Sequence, residues 1–369
     1  MLERPSAILR TTFFFWLLAK LISYKVWLAD RFFPVVPSFN FFPELPSWFH
    51  LFLFASSLFL LIFLLVFPKN NPLLLSLLII EIAACSLDIT RWQPWEYQYL
   101  FMVLVFLINK NDDRKFFSAI LFLLSMIYIF SGMHKFNGAY LFSTWGRMIL
   151  GNFLGFSLKI IANIFVHYAG LLLPIIEIIG GLALLFLKNK KIPALVLMAM
   201  HVFILLLIGP TGIDYNSVVW PWNVAMIVFL YFLFFRGSVD FSFKKLLKGA
   251  NPIVIIFWTV LPLLNFIGYW DLYLSSGLYS GKEIRMDICF SKTEKTKDLL
   301  QYTNEKWAFV DCGENQRIPL FQWSFEEMNV PPYPALWYYK KFKTEWVSKY
   351  GSADFILYEY PYSENNVLE

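Results

Sequence analysis

A few ionisable side chains stand inside stretches that are otherwise apolar, and they are where chemistry is possible. Lys20, Glu81, Glu177 and His201 interrupt such runs, with Lys25, Asp88 and His167 nearer their ends. In a low-dielectric setting each costs roughly 3 kcal/mol or more unless it is paired or hydrated. Two outcomes are open. The charges can neutralise one another, for example Lys20 with a glutamate, and hold a bundle together. Alternatively they can line a cavity that handles protons or binds a ligand. His167, Gly170, Pro174, Glu177 and Gly181 are separated by 3, 4, 3 and 4 residues, which puts them on one face of a helix. Small residues on that face let a neighbouring helix approach, and Pro174 frees a backbone carbonyl one turn before Glu177. A carboxylate in the wall of a cavity or of a tight crossing is the expected product. His201 lies in the middle of the next apolar run and can face this stripe; the plainer reading is a satisfied core histidine.

A second cluster comprises Tyr128, then Ser131-Gly132-Met133-His134-Lys135-Phe136-Asn137, and Trp145-Gly146-Arg147. A lysine beside a histidine at the edge of an apolar run is a candidate base where burial favours the neutral amine. The alternative is that Lys135 and Arg147 snorkel to anionic headgroups. A third cluster, Gly209-Pro210-Thr211-Gly212-Ile213-Asp214-Tyr215-Asn216, breaks a helix and is followed by Trp220-Pro221-Trp222-Asn223. Non-helical backbone at that depth is tolerated mostly where it lines a cavity. An aromatic belt accounts for the two tryptophans, but not for Asn223 inside an apolar run.

The elements that position these groups follow from composition. Of 369 residues, 58% are hydrophobic and 15% charged, and 41 are Phe. A soluble domain is about 45–50% apolar and about 25% charged. The excess excludes a water-soluble enzyme, a disordered chain, a collagen-like fibre and a nucleic-acid-binding module. The apolar residues come in unbroken runs rather than alternating, which argues against an outer-membrane barrel. Nine runs approach the length of a bilayer-spanning helix: roughly 11–29, 48–67, 73–89, 97–109, 116–133, 160–187, 192–208, 219–235 and 252–270. The first lacks a small-residue cleavage site and carries Lys20 and Lys25, so it reads as an anchor rather than a signal peptide.

Charge then orients the chain. With the N-terminus inside, the alternate inner segments hold thirteen Lys and Arg, among them Arg4, Arg10, Lys115 and Lys245. The outer loops hold only Arg31, Arg91, Lys135, Arg147 and Lys159. This asymmetry places the N-terminus in the cytoplasm and the tail outside. The overall charge of +5 divides accordingly: residues 1–270 carry 20 Lys and Arg against 11 Asp and Glu, and residues 271–369 carry 11 against 15.

The expected architecture is an all-α polytopic membrane bundle of about nine transmembrane helices over 1–270. A small α+β extracytoplasmic domain follows over 271–369. In that domain 284–290 and 355–360 alternate as half-buried strands, and a helix is expected over 334–350, stopped by Gly351. The tail has no His and no Cys-x-x-Cys, so no metal site is expected in it. Cys289 and Cys312 are compatible with a disulfide in an oxidising compartment, which spacing alone does not establish.

Tyr-x-x-Ser-Gly-x-x-Lys-x-Asn over 128–137, Pro174-x-x-Glu177 with Gly180-Gly181, and His201 together resemble the bundle of DoxX/MauE-type proteins and of the HTTM domain. That domain includes the vitamin K-dependent gamma-glutamyl carboxylase and its bacterial relatives. Trp-Pro-Trp-Asn over 220–223 and Leu-Tyr-Ser-Gly over 278–281 also look like bacterial members of this group. The resemblance covers roughly 1–285. It implies quinol or carboxylase-like chemistry, with Lys135 on the motif of the base that deprotonates the quinol. The carboxylase pattern has Lys-Lys where this chain has His134-Lys135, and its large lumenal region has no counterpart. The MauE- and DoxX-type relatives imply quinone-linked or disulfide-linked redox maturation outside the cytoplasm.

The reading is an inner-membrane protein with an outward-facing cavity for a quinone-like or lipid-like ligand. Lys135, His134, Glu177 and His201 are the candidate catalytic residues. Asn137, Arg147, Trp222 and Asn223 are the candidates for positioning a ligand such as a quinone or quinol. The alternative is a non-enzymatic scaffold that docks an extracytoplasmic protein through 271–369.

Overall fold

The structure is a computed structural model that describes residues 4–39, 45–303, 310–361 and 365–368. Among the described residues, five helices are long and apolar enough to cross a membrane: α1 (Arg4–Ile22), α2 (Ser47–Val66), α5 (Asp113–His134), Ile164–Phe186 and α7 (Lys191–Ile208). Within Ile164–Phe186 the main helix is α6 (Leu172–Phe186). Shorter apolar helices are α3 (Asn71–Leu87), α4 (Pro94–Ile108), α8 (Val219–Phe234) and the segment Pro252–Asn265. A helix of 15 residues such as α4 rises about 22 Å, less than a hydrocarbon core of about 30 Å. The polypeptide is therefore a membrane protein dominated by apolar helices: five of the nine expected runs contain a described helix of membrane-spanning length, and the other four contain shorter ones.

The chain forms two compact units. The first comprises Met1–Ala19, Ser57–Ile79 and Pro94–Gly281. Its centre is the pair α5 and α6, which pack closely because glycines remove the side chains between them. A Cβ on Gly132 would stand 2.6 Å from the Pro174 carbonyl oxygen, and one on Gly181 would stand 2.8 Å from that of Ser125. The opposite face of α6 exposes Leu172, Ile175, Ile179, Leu182 and Phe186, the arrangement expected of a helix facing lipid. Two arginines of α1 close the open ends of other helices. Arg10 Nε donates to the Leu65 carbonyl of α2 at 2.9 Å, and Arg4 Nη2 to the Leu233 carbonyl of α8 at 3.1 Å. Cations at these carbonyls satisfy orphan acceptors and complement the helix dipole. The segment after α5, a connection by sequence, is instead a wide-turned helix over Tyr140–Phe153.

The second unit comprises Lys20–Ser56, Ile80–Gln93 and Lys282–Glu369. Its sheet has the order β2 (Gln316–Pro319), β1 (Arg285–Phe290), β3 (Asp354–Tyr358) and β4 (Asn365–Val367). All three pairings are antiparallel, with Ile288 opposite both Ile318 and Phe355. Cys289 on β1 forms a disulfide with Cys312, their Cα atoms 5.4 Å apart. Helices α9 (Leu320–Met328) and α10 (Leu336–Tyr350) bring Trp323, Phe342 and Trp346 together over Phe33. Glu327 of α9 accepts from the backbone N–H groups of Phe32 at 2.6 Å and Phe33 at 2.9 Å. The compact unit that contains the tail thus also takes in two connections between apolar helices.

Those connections and the adjoining helix ends hold a dense set of buried ions. Lys20 and Glu81 pair at 2.6 Å with both side chains fully buried, and the Lys20 ammonium lies over the Trp27 ring. Arg31 pairs with Asp88 at 2.5 Å. Arg91 donates to the carbonyls of Val26, Ala84 and Trp27 and lies 2.8 Å from His50 Nδ1. Removing one member of a buried pair leaves an uncompensated charge. Asp88→Ala should therefore cost about 3–5 kcal/mol and lower the thermal midpoint of the detergent-solubilised protein. The double variant Arg31→Met/Asp88→Leu should recover most of that loss; a single variant as stable as the parent would contradict the pairing.

Candidate functional site

The last turn of α5 and the middle of α6 carry the groups that the two glycines bring together. Gly132 stands one turn before Lys135, and its missing side chain leaves room for the α6 backbone at Pro174 and for Glu177 Cβ. Lys135 caps α5, its backbone N–H donating to the Gly132 and Met133 carbonyls. Its ammonium reaches Glu177 Oε1 at 2.6 Å, Oε2 at 2.7 Å and Ser131 Oγ at 2.8 Å. The lysine and glutamate side chains are only 11% and 6% exposed. A charged lysine here is neutralised by a single carboxylate that it meets with two hydrogen bonds.

A neutral hydrogen-bonded chain lies in the same unit. Tyr128 Oη is 2.8 Å from His201 Nε2, and His201 Nδ1 is 2.8 Å from Asn223 Oδ1. The Asn223 amide has a determined orientation, because Nδ2 donates to the Val219 carbonyl at 2.8 Å. That leaves Oδ1 as the atom facing His201, so Nδ1 carries the imidazole proton. Nε2 then accepts from the Tyr128 hydroxyl.

Both sets border one cavity of about 70 Å³. That volume holds a few waters or the polar head of a larger molecule. Lys135, Glu177, Ser131, Tyr128, His201 and Asn223 supply its polar wall. Ile127, Met200, Ile204, Trp222, Met226 and Leu278 supply the apolar one, with Ser276 and Tyr279 at the remaining side. The Trp222 N–H is engaged elsewhere, donating to Gln98 Oε1 at 2.8 Å.

The strap Ser276–Gly281 is anchored at several points. Asn137 Nδ2 donates to the Ser280 carbonyl at 3.2 Å, Thr144 to that of Tyr279 at 3.0 Å, and Asn216 Nδ2 to Tyr279 Oη at 2.9 Å. Gly281 has φ +75°, and a Cβ there would meet the Ala139 carbonyl at 2.6 Å, so only glycine fits.

Of the residues singled out by sequence, the cavity gathers Lys135, Glu177, His201, Trp222 and Asn223. Three stand elsewhere. His134 is fully buried with its ring stacked on Phe266 at 4.5 Å. Asn137 holds the strap and accepts from the Tyr140 N–H. Arg147 is part-buried in the helix Tyr140–Phe153 and is not among the lining residues. Tyr128 and Ser131 belong to the motif that sequence picked out, but their role becomes evident only from their partners. Ser276 and Tyr279 take positive φ without being glycine, for which sequence offers no signal. Among the described residues no group of three or more His, Cys, Asp or Glu is arranged to hold a metal ion.

No protein-family model, curated protein or solved structure matches the chain.

The orientation of His201 is open to direct measurement. In protein labelled with ¹⁵N-histidine, which has four such residues, His201 should resonate as the Nδ1-protonated tautomer. Asn223→Leu should let the two tautomers mix. An Nε2-protonated His201 in the unmodified protein would contradict the assignment.

Proposed function

We propose that this membrane protein binds the polar head of an amphipathic, quinone-like or lipid-like molecule in the cavity beside Lys135. The single observation that carries this reading is the Lys135–Glu177 pair at the cavity wall, sharing that wall with the Tyr128–His201–Asn223 chain. The small volume and the apolar lining support a ligand whose head enters while its hydrocarbon part remains outside. The paired ammonium and carboxylate can exchange a proton along their 2.6 Å contact, and Lys135 can accompany a developing oxyanion on the ligand. Glu177 is the base in this arrangement, because its lone pairs are what the ammonium occupies until a ligand hydroxyl competes for them. His201 holds the Tyr128 hydroxyl in place. The resemblance to DoxX/MauE-type and HTTM proteins supports the quinone-like choice of ligand.

The reading places nine spans in an inner membrane, with the N-terminus cytoplasmic and the C-terminal domain outside. The Cys289–Cys312 disulfide supports an oxidising compartment for that domain. Two carboxylates offset part of the charge assigned to outer loops: Asp88 stands against Arg31 and Arg91, and Glu177 against Lys135. The unbalanced positive charge is therefore more concentrated on the inner side than the raw count of thirteen against five.

The folded, disulfide-bonded C-terminal sheet favours a second reading, a scaffold that docks an extracytoplasmic protein. Two variants separate the readings. Lys135→Ala and Glu177→Gln should each lower quinol turnover, or complementation of a deletion strain, by about tenfold or more, the scale of one lost charged hydrogen bond. Normal activity in both, combined with loss of activity on deleting 285–369, would favour the scaffold.

A further inference from the structure

The outward face of α10 has no part in the cavity, yet its composition is unusual for a face in contact with water. The inner face of the helix buries Tyr338, Tyr339, Phe342 and Trp346. The outer face exposes Leu336 and Trp337, at 43% and 42%, followed by Lys340. This first turn is fastened at the ends of apolar helices. Tyr338 Oη lies 3.0 Å from Thr90 Oγ1, in the turn that follows α3. Lys341, four residues from Trp337 on the same face, donates to the Ser38 carbonyl at 2.7 Å. The Ser38 N–H in turn donates to the Ser86 carbonyl in the last turn of α3.

The next residue of the same turn, Arg91, lies 2.8 Å from His50 in the first turn of α2. There Trp48 is 65% exposed, and Phe39, adjoining Ser38, is 49% exposed. The start of α10 therefore stands level with two helix ends, where hydrocarbon gives way to headgroups. Tryptophan is favoured at that level, and a lysine on the same face can reach lipid phosphates.

We propose that Leu336 and Trp337, with Phe39 and Trp48, insert into the headgroup layer of the bilayer. The C-terminal domain is thereby seated on the membrane surface through the first turn of α10. The inference does not rest on the ligand reading of the cavity.

Nitroxide labels on the full-length protein in nanodiscs of phosphatidylethanolamine and phosphatidylglycerol test it. Trp337→Cys, Trp48→Cys and Lys297→Cys place labels at the proposed contact, at a membrane helix end and on an exposed surface. Cys85 is buried and the other two cysteines are joined. Labels at 337 and 48 should collide preferentially with oxygen, which partitions into lipid, and the label at 297 with a water-soluble nickel chelate. Lys340→Cys, three residues along the same face, serves as a second probe should the loss of Trp337 disturb the turn. Oxygen-favoured collisions at 337 or 340 support the proposal, and nickel-favoured collisions at both, matching 297, overturn it.

Discussion

A lysine at the wall of an apolar bundle is tolerable only beside a carboxylate that can reach it, and here that reach depends on two glycines. Gly132 and Gly181 let α5 and α6 approach until backbone carbonyls occupy the space that side chains would fill. At that separation the end of Lys135 meets both oxygens of Glu177. A wider crossing would leave each charge to be solvated by itself, at a cost of several times the roughly 1 kcal/mol that an ordinary hydrogen bond contributes. The ion pair and the cavity are therefore consequences of one packing choice.

The same electrostatic rule is met differently in the second unit. There the cations are held within networks of protein groups. Lys20 is taken up by Glu81 and the Trp27 ring, and Arg91 by three carbonyls, His50 and the neighbouring Asp88. These groups are buried and held by several protein partners at once, which suits a structural clamp. Lys135 and Glu177 retain some exposure and adjoin open space. Burial among several protein partners reads as architecture; burial at the edge of a void reads as chemistry.

This difference explains what sequence could and could not reveal. The stripe from Gly170 through Pro174 and Glu177 to Gly181 was legible because helical periodicity puts those positions on one face, and all four are buried. His167, one turn earlier, lies in a separate short helix, Ile164–Ala169, because the chain turns at Gly170 and Leu171. Neutralisation of Lys20 by a glutamate was foreseeable as an electrostatic necessity, and Glu81 supplies it. The helix at 336–350 and the two longer strands were legible from periodicity. The four-residue β2 and the three-residue β4 are too short to carry a pattern. His134 and Lys135 are adjacent in sequence and share one set of cues, yet one stacks on Phe266 and the other reaches Glu177. Which neighbour turns inward is decided by packing between distant elements, beyond the reach of any local spacing. Leu-Tyr-Ser-Gly over 278–281 stood out in sequence, but its role as a strap did not, since its contacts to Asn137, Thr144 and Asn216 cross more than sixty positions of chain.

The central claim is that the Lys135–Glu177 pair holds the head of an amphipathic molecule. Mass spectrometry of the small molecules released from the protein, purified in mild detergent, tests it most directly when the parent is compared with Lys135→Ala. The account predicts that the parent retains a specific amphipathic species that the variant loses, while bulk phospholipid is carried equally by both. The same set of molecules at the same abundance in both preparations would contradict it.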